Sequence, residues 1–177
     1  MLLTKISSGE FGGRSLNLPP QSVTRAISAK VRSAIFNTLD VEGRIVLDLF
    51  AGGGTLGFEA LSHGAEKVTF VDISDRAIKT LKQNATNLDV EKRIYIKKMD
   101  VKKYAKDLGL KYDIIFLDPP YKDFNNALVK TASNLLQLGG ILVVSCSSRS
   151  FVEEPDDTLE LDEKNYGDTK IVYLQKQ

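Results

Sequence analysis

Four consecutive residues, Asp118-Pro119-Pro120-Tyr121, have the types and the spacing to hold an aromatic amine for a reaction. An exocyclic amine on a base is a poor nucleophile because its lone pair is delocalised into the ring. If the Asp118 carboxylate and the Pro119 carbonyl each accept one N–H, the lone pair is aimed at an electrophilic carbon and the developing positive charge is stabilised. The prolines would keep the loop stiff, and Tyr121 would stack on the base. A strand-ending turn would explain the prolines alone, so the tetrapeptide predicts a catalytic site.

A glycine-rich segment, Asp48 to Gly57, is the second candidate site. Its glycine spacing satisfies the dinucleotide fingerprint, which alone is weak evidence for a ligand. Asp48 decides between ligands, because a carboxylate there repels a pyrophosphate and attracts the ammonium and sulfonium groups of S-adenosylmethionine, directly or through water. The glycines would let the backbone approach the methionine part of that cofactor. This interpretation places the following residues at the cofactor: Asp48, Phe50, Ala51, Gly52 and Gly54.

Two further acids follow the next apolar runs of the chain. Asp72 ends one run, where doubly wound nucleotide sites place an acid on the ribose hydroxyls, and Ile73 would pack on the adenine. Asp100 follows another run and would accept from the adenine amino group, with Val101 offering a backbone N–H. An ordinary helix N-cap is the alternative for each acid. Asp48 and Asp72 together favour the cofactor site.

Short apolar runs alternate with amphipathic stretches of helical length, which is typical of a parallel sheet with helices on both faces. The predicted strands are Ile45 to Phe50, Val68 to Asp72, Ile94 to Lys98, Tyr112 to Leu117 and Gly140 to Cys146. Between them, residues 77–85 and 127–136 have helical spacing. The pattern predicts an α/β fold with a mainly parallel, doubly wound sheet. Together with the cofactor site proposed above, the expected fold is a Rossmann-like class I S-adenosylmethionine-dependent methyltransferase fold.

The two ends of the chain depart from this alternation. Leu159 to Asn165 and Ile171 to Leu174, around a glycine turn, predict a closing hairpin that gives the sheet an antiparallel edge. Ser28 to Leu39 predicts a helix, and Ser8 to Gly13 a mobile, glycine-rich lead-in. We expect one methyltransferase domain over residues 1–177. Residues 1–40 would be a basic, RNA-facing arm and helix, and residues 41–177 the cofactor-binding and catalytic core.

The composition narrows the classes of protein. At 177 residues, with 42% hydrophobic and 27% charged residues, the chain suits a single domain. It has no long apolar run and no charged-then-apolar leader, so we expect a cytoplasmic protein that does not enter a membrane. The single cysteine and single histidine exclude an internal disulfide and a Cys/His zinc cluster, and we expect no metal. The basic residues before Asn37 favour contact with phosphates.

With these motifs, the chain resembles the bacterial RsmD-type methyltransferases, which modify N2 of a guanine in small-subunit (16S) ribosomal RNA. The resemblance covers almost the whole chain. It rests on Gly9 to Leu16, Val31 to Asn37, Asp48 to Gly57, Asp118 to Tyr121 and Tyr166-Gly167-Asp168-Thr169. The N-terminal segment points to this family, whereas the tetrapeptide at Asp118 is shared by amino-methyltransferases at large.

The resemblance implies S-adenosylmethionine as cofactor and ribosomal RNA, within the small subunit or its assembly intermediate, as partner. It implies that Asp48, Gly52, Asp72 and Asp100 bind the cofactor, that Asp118 to Tyr121 hold the guanine, and that Arg14, Arg25 and Arg32 face RNA. Two positions depart from the family pattern. Arg25-Ala26-Ile27 stands where the family has Pro-Thr after its arginine, and Ser145 stands where the family commonly has Glu.

Other functions share some of these features. A nicotinamide dehydrogenase would share the fold and the glycines, but Asp48 opposes it and the tetrapeptide at Asp118 would have no role. A non-catalytic RNA-binding module would use the basic N-terminal segment and would retain RNA without methyl transfer. Related tetrapeptides also occur in enzymes that methylate adenine N6 or protein glutamine, the latter preferring Asn at the position of Asp118. Cofactor binding and the nature of the methylated product distinguish these alternatives.

Overall fold

A computed structural model describes residues 2–19, 27–106 and 109–177. Its strands are β1 (Leu2–Lys5), β2 (Ser15–Leu18), β3 (Ile45–Leu49), β4 (Lys67–Asp72), β5 (Ile94–Lys98), β6 (Tyr112–Leu117), β7 (Leu136–Ser147), β8 (Thr158–Tyr166) and β9 (Thr169–Lys176). Its helices are α1 (Ala29–Thr38), α2 (Thr55–Ser62), α3 (Asp75–Leu88), α4 (Val101–Tyr104) and α5 (Asn126–Ser133).

Strands β3 to β9 form one sheet in the order β5-β4-β3-β6-β7-β9-β8. The pairs among β3 to β7 are parallel, whereas β9 pairs antiparallel with both β7 and β8. The strand order reverses direction at β3 and β6, which is the topological switch point of a doubly wound sheet. The predicted fold class, with its antiparallel C-terminal hairpin, is confirmed.

The central strands are apolar on both sides because helices cover both faces of the sheet. On β3, Val46 packs in one cluster with buried residues of α1, α2 and α3. Leu47 and Leu49 pack in the other cluster, with α4 and α5. Local signals fix the helix ends: Ser74 caps α3 through its hydroxyl, and Asp89 ends it in the left-handed conformation with φ of 59°. No helix among the described residues is long and apolar enough to cross a membrane.

Two predictions about local structure are wrong. Leu136, predicted to continue the helix after Ala127, belongs to β7 and pairs with Tyr112, because an apolar pair fits the end of a helix and the start of a strand equally well. The segment around Gly9, predicted to be a mobile lead-in, is the folded connection of the β1-β2 hairpin. A side chain at Gly9 would stand 2.0 Å from the Ser62 carbonyl oxygen, so this connection packs directly on α2.

Candidate active site

Three carboxylates lie at one edge of the sheet, at the carboxyl ends of three neighbouring strands. Asp48 is near the end of β3, Asp72 is the last residue of β4, and Asp118 follows the last residue of β6. The strand order β4-β3-β6 makes these strands adjacent. Ligands of doubly wound proteins bind outside this edge, at the switch point of the topology. The sequence-predicted cofactor and acceptor residues are therefore neighbours in space.

The loop from β3 to α2 is held in an unusual backbone conformation by β4. Phe50 has φ of 60°, which is rare outside glycine, and Gly52 and Gly54 have φ of 54° and 79°. The Gly52 N–H donates to Asp72 Oδ2 at 2.8 Å, and the Ala51 N–H donates to the backbone of β4 at 3.1 Å. Backbone strain of this kind concentrates at ligand sites. Asp72 thus fixes the loop that the sequence places at the cofactor.

Asp48 is a buried carboxyl without an ionic partner among the described residues. Its side chain is 2% exposed, and its Oδ2 accepts the Gly57 N–H at 2.9 Å. Burial raises the pKa of Asp48 well above its usual value, the Gly57 N–H opposes this rise, and the charges of Asp118 and Asp72 add to it. A ligand that brings positive charge beside this carboxyl would stabilise its ionised form. These residues fit S-adenosylmethionine, which carries an ammonium and a sulfonium, and fit a pyrophosphate poorly.

The residues predicted to contact adenine differ in exposure and in local role. Ile73 is 65% exposed directly after Asp72, so its apolar side chain is available to a planar ring. Asp100 is the N-cap of α4 and accepts the Lys103 N–H at 3.2 Å, while the Val101 side chain is buried. The cap is the alternative that the sequence left open for Asp100. A role for these three residues in adenine binding stays a prediction.

Asp118 is partly buried directly after β6, where the sequence predicts that the amine to be methylated is held. Burial raises the pKa of Asp118 to about 7, and the Ser145 hydroxyl acts in the opposite direction. The register explains this pairing: Leu117 of β6 lies opposite Val144 of β7, so Asp118 and Ser145 are the next neighbours along the two strands. Ser145 is 2% exposed, and its Oγ forms no hydrogen bond of normal geometry with a described residue. Ser145 therefore lowers the pKa of Asp118, but by less than burial raises it.

The rest of the tetrapeptide forms a firm rim beside this carboxyl. Pro119 is buried, and the Pro120 carbonyl accepts the Asp123 N–H at 2.7 Å, which closes a tight turn. Tyr121 is 41% exposed, and its hydroxyl is 2.6 Å from Thr169 Oγ1 on the C-terminal hairpin. The aromatic ring is thus held at the surface by its polar end. This arrangement suits a stacking platform for a base.

A cleft of about 250 Å³ opens between three parts of the chain that are far apart in sequence. Asp118 and Tyr121 form one side, and the start of α1 forms another. The turn between β8 and β9 forms the third side. The lining residues are Ile27, Ser28, Val31, Asp118, Tyr121, Tyr166, Gly167, Asp168 and Thr169. The sequence alone does not place the turn or the start of α1 beside Asp118, although Tyr166-Gly167-Asp168-Thr169 belongs to the resemblance and residues 1–40 are expected to face RNA.

The three arginines predicted to face RNA differ in where the structure places them. Arg14 is exposed, lies 6.0 Å from the centre of the Phe11 ring, and donates to the Asn87 carbonyl at the end of α3. Arg25 lies outside the described residues. Arg32 is 2% exposed, so the prediction that it faces RNA is wrong. Its guanidinium binds Glu59 and backbone carbonyls in the interior, which is a structural role.

The single cysteine and histidine show no sign of chemistry at this site. Cys146 is fully buried in the core, and burial raises the pKa of its thiol to about 11. His63 stacks on Phe36 with ring centroids 5.1 Å apart and forms a hydrogen bond of 3.0 Å with the Ser8 hydroxyl. Among the described residues, no group of three or more His, Cys, Asp or Glu side chains is arranged to hold a metal ion.

The fold and the three acids at its switch point define a Rossmann-like, S-adenosylmethionine-dependent methyltransferase. A family model described as "Conserved hypothetical protein 95" matches residues 4–175. The chain belongs to this family, and its resemblance to the RsmD-type methyltransferases is confirmed.

Named relatives and solved structures agree with this assignment. The chain is 33% identical to the Bacillus subtilis protein YlbH, over 98% of this chain and 99% of that protein. It is 30% identical to "Ribosomal RNA small subunit methyltransferase D" of Haemophilus influenzae, over 92% of this chain and 89% of that protein. A solved Haemophilus influenzae structure, HI0767, is similar with a TM-score of 0.82, 27% identity and 98% coverage of both chains. The solved structure of SMU.776 in complex with SAH is more distant. It has the same fold with a TM-score of 0.74 and 21% identity, and the match covers 92% of this chain and 54% of SMU.776.

Proposed function

We propose that this protein transfers a methyl group from S-adenosylmethionine to the exocyclic N2 of a guanine in small-subunit ribosomal RNA. The observation that carries the proposal is the Asp118 carboxyl, partly buried beside two prolines and an exposed tyrosine, on the sheet edge that also holds Asp48 and Asp72. The names of the relatives support ribosomal RNA as the substrate class. Guanine N2 is supported by the resemblance to the RsmD-type methyltransferases.

The cofactor side of the proposal uses the loop after β3. Asp48 would hold positive charge of the methionine part, Asp72 would hold the ribose hydroxyls, and Ile73 would cover the adenine. When bound, S-adenosylmethionine supplies an activated methyl group on a positively charged sulfur. The protein's task is to keep that group over the acceptor and to exclude water.

The acceptor side uses the rim of the cleft. The Asp118 carboxylate and the Pro119 carbonyl would each accept one N–H of the guanine amine, so that the nitrogen lone pair points toward the methyl group. Asp118 would then stabilise the positive charge that develops on the nitrogen as the carbon–nitrogen bond forms and the carbon–sulfur bond breaks. The methylated nitrogen would afterwards release one N–H proton, to the Asp118 carboxylate or to water. Tyr121 would stack on the base after it leaves the RNA stack, which offsets part of the cost of unstacking.

We further propose that residues 1–177 act as one unit in the cytoplasm, where the small ribosomal subunit is assembled. Residues 1–40 would contribute the RNA-facing arm and residues 41–177 the catalytic core. The β1-β2 hairpin supports one unit, because Ile6 and Leu16 share the buried cluster of the sheet and α1. Arg14, which is exposed directly before β2, and Arg25 are the arginines that we retain as RNA contacts in this proposal.

Radiolabel transfer from S-adenosylmethionine to total RNA, followed by nucleoside analysis, tests the proposal. Label in N2-methylguanosine of small-subunit RNA is the expected result. Label in N6-methyladenosine would transfer the assignment to an adenine enzyme, and label in protein, when a cell extract replaces the RNA, would transfer it to a glutamine enzyme. Retention of RNA with no label, by a protein that binds the cofactor normally, would indicate a non-catalytic RNA-binding module.

Asp48→Asn is expected to weaken binding of S-adenosylmethionine by about 1.5–3 kcal/mol, the value of a hydrogen bond to a charged group. The amide oxygen can still accept the Gly57 N–H, so the loop keeps its shape while the charge is lost. Because burial raises the pKa of Asp48 and a bound cation favours its ionised form, cation binding is coupled to loss of the carboxyl proton, and wild-type affinity should rise with pH. Calorimetry at pH 6 and pH 8 measures both the loss of affinity in Asp48→Asn and the rise of wild-type affinity with pH. Any pH dependence that comes from titration of the ligand itself appears equally in the variant and can be subtracted. Equal affinities of the two proteins, or tight binding of NAD, would contradict the cofactor assignment.

Arg14→Ala is expected to weaken RNA binding and to reduce the slope of log affinity against log salt by about 0.7–0.9, the contribution of one phosphate contact. Cofactor affinity should not change, because Arg14 lies outside the sheet edge that carries the three acids. Arg44→Ala removes the same charge from another exposed position and is the matched control. Fluorescence anisotropy with labelled RNA at several salt concentrations measures the slopes. Identical slopes for both variants would exclude Arg14 as a specific phosphate contact.

A further inference from the structure

The turn between β8 and β9 is built into the cleft that holds Asp118. Gly167 has φ of 63° in this turn, a conformation that suits glycine, and residues 166–169 all line the cleft. Two contacts hold the turn in place: the Tyr121 hydroxyl meets Thr169 Oγ1 at 2.6 Å, and the Ser148 N–H donates to the Asp168 carbonyl at 2.9 Å. The turn is therefore a fixed wall, attached to the stacking residue itself.

Asp168 is the charged residue that this wall presents to the cleft. It is exposed, and its carboxylate forms no hydrogen bond or ion pair with any described residue. The neighbouring lysine in the strand, Lys170, is instead paired with Glu163 at 3.0 Å. The cleft thus has two carboxylates on different walls, Asp118 on the β6 side and Asp168 on the hairpin side. The first is assigned to the exocyclic amine, and the second has no role in the transfer as proposed above.

The chemistry of purines gives the second carboxylate a function. Guanine presents a ring N1–H next to its exocyclic N2 amine, so it offers adjacent donors to a carboxylate. Adenine presents an N1 lone pair next to its N6 amine, and a carboxylate facing that lone pair is repelled. A site with acceptors on both sides therefore favours guanine, and the unpaired acceptor makes the wrong base costly.

We propose that Asp168 is a specificity-determining residue that accepts the guanine N1–H, while Asp118 and the Pro119 carbonyl hold the N2 amine. The proposal rests on the proposed function, because it assumes that the amine of a flipped base reacts beside Asp118. The contact between Tyr121 and Thr169 then has a function, because it fixes the residue that stacks on the base relative to the residue that binds the N1 edge of the base. It also gives the Tyr166-Gly167-Asp168-Thr169 segment a role that the sequence alone did not supply.

The test combines a residue change with a base change. The RNA segment that the wild-type protein methylates is synthesised with guanosine or 2-aminopurine riboside at the acceptor position. 2-Aminopurine keeps the exocyclic 2-amine but has a lone pair at N1 in place of the N–H. The wild-type protein is expected to prefer guanine by roughly 10- to 100-fold in kcat/KM, the discrimination expected when one charged acceptor loses its N–H partner. Asp168→Asn should reduce or reverse this ratio, because an amide N–H can donate to the N1 of 2-aminopurine.

Asp156→Asn removes the same charge from an exposed position before β8, outside the cleft, and should leave the ratio unchanged. The fluorescence of 2-aminopurine gives a binding readout that does not depend on transfer, since stacking on Tyr121 quenches it. A guanine preference that is the same in wild type and in Asp168→Asn would overturn the role of Asp168 while the methyltransferase assignment stands. Failure of the wild-type protein to label any RNA would instead refute the proposed function.

Discussion

Asp118→Asn is expected to reduce the single-turnover rate of methyl transfer by about 10²–10³-fold, the usual cost of removing one preorganised electrostatic group. The amide oxygen can still accept an N–H from the base, but it lacks the negative charge that offsets the developing cation. Cofactor affinity should remain nearly intact, because the carboxylate acts on the acceptor amine. Asp123→Asn, an exposed acid on the same loop, is the matched control and should keep close to the wild-type rate.

The pH dependence of the wild-type reaction gives a second measure of the same group. Burial raises the pKa of Asp118 to about 7 in the cofactor-free protein. Below that value the carboxyl is protonated and carries no charge, so the rate should rise with pH and then level off. A bound sulfonium favours the ionised form and would move the midpoint below 7. The profile of Asp118→Asn should lack this rise.

Stability separates this chemical role from a structural one. The pKa of Asp118 is higher in the folded protein than its ordinary value of 3.8, so ionisation opposes folding as the pH rises from about 4 through 7. Asp118→Asn removes that cost and should raise the unfolding midpoint at pH 8 more than at pH 4. An inactive variant that is at least as stable as the wild type would locate the defect in the chemistry. Near-normal transfer rates would show that the amine is held elsewhere, and the proposed mechanism would fall.

The fold could be predicted from the sequence because a buried parallel sheet imposes a pattern on the chain. Strands covered on both faces must be apolar throughout, so β3, β4 and β6 stand out as short runs. The β1-β2 hairpin was missed because each strand has four residues and a glycine-rich connection joins them. Its stability comes from contacts with α2 and the core, and such distant contacts leave no local pattern.

Only those residues of the candidate site that lie at the carboxyl ends of strands could be predicted from the sequence. Asp48, Asp72 and Asp118 are found by position, since the carboxyl ends of parallel strands meet at one edge. The hairpin wall of the cleft is about fifty residues away from Asp118 in the chain, and nothing local connects Asp168 with that carboxyl. The link is the antiparallel pairing of β9 with β7, which carries the turn over the end of β6.

Arg32 shows how charge alone misleads. Its neighbours Val31 and Ile35 predicted a buried helix face, yet its positive charge was assigned to RNA. The opposing signal was Glu59, an acid within the apolar stretch of α2 that is now seen to be fully buried. A buried carboxylate needs a cation or several donors. Glu59 obtains both, from Arg32 at 3.1 Å and from the N–H and hydroxyl of Ser7 at 2.8 Å each.

Arg32→Ala is expected to reduce the free energy of unfolding by about 3–5 kcal/mol, the cost of leaving one partner of a buried ion pair uncompensated. The Arg32 side chain also donates to the Ile27 carbonyl at 2.9 Å and to the Lys5 carbonyl at 2.7 Å, so it joins α1, α2 and the β1-β2 hairpin. Urea unfolding followed by circular dichroism measures the loss. Arg44→Ala, at an ion pair of 3.9 Å whose arginine is 49% exposed, should cost less than about 1 kcal/mol.

A double variant distinguishes the ion pair from simple loss of packing. Arg32→Met with Glu59→Leu removes both charges while keeping apolar volume, and it should be markedly more stable than Arg32→Ala. The stranded Glu59 charge, rather than the missing arginine contacts, would then account for most of the loss. If Arg32→Ala unfolded like the wild type and instead bound RNA weakly, the arginine would have to leave the interior when RNA binds. The RNA-facing assignment, which its burial here contradicts, would then be restored.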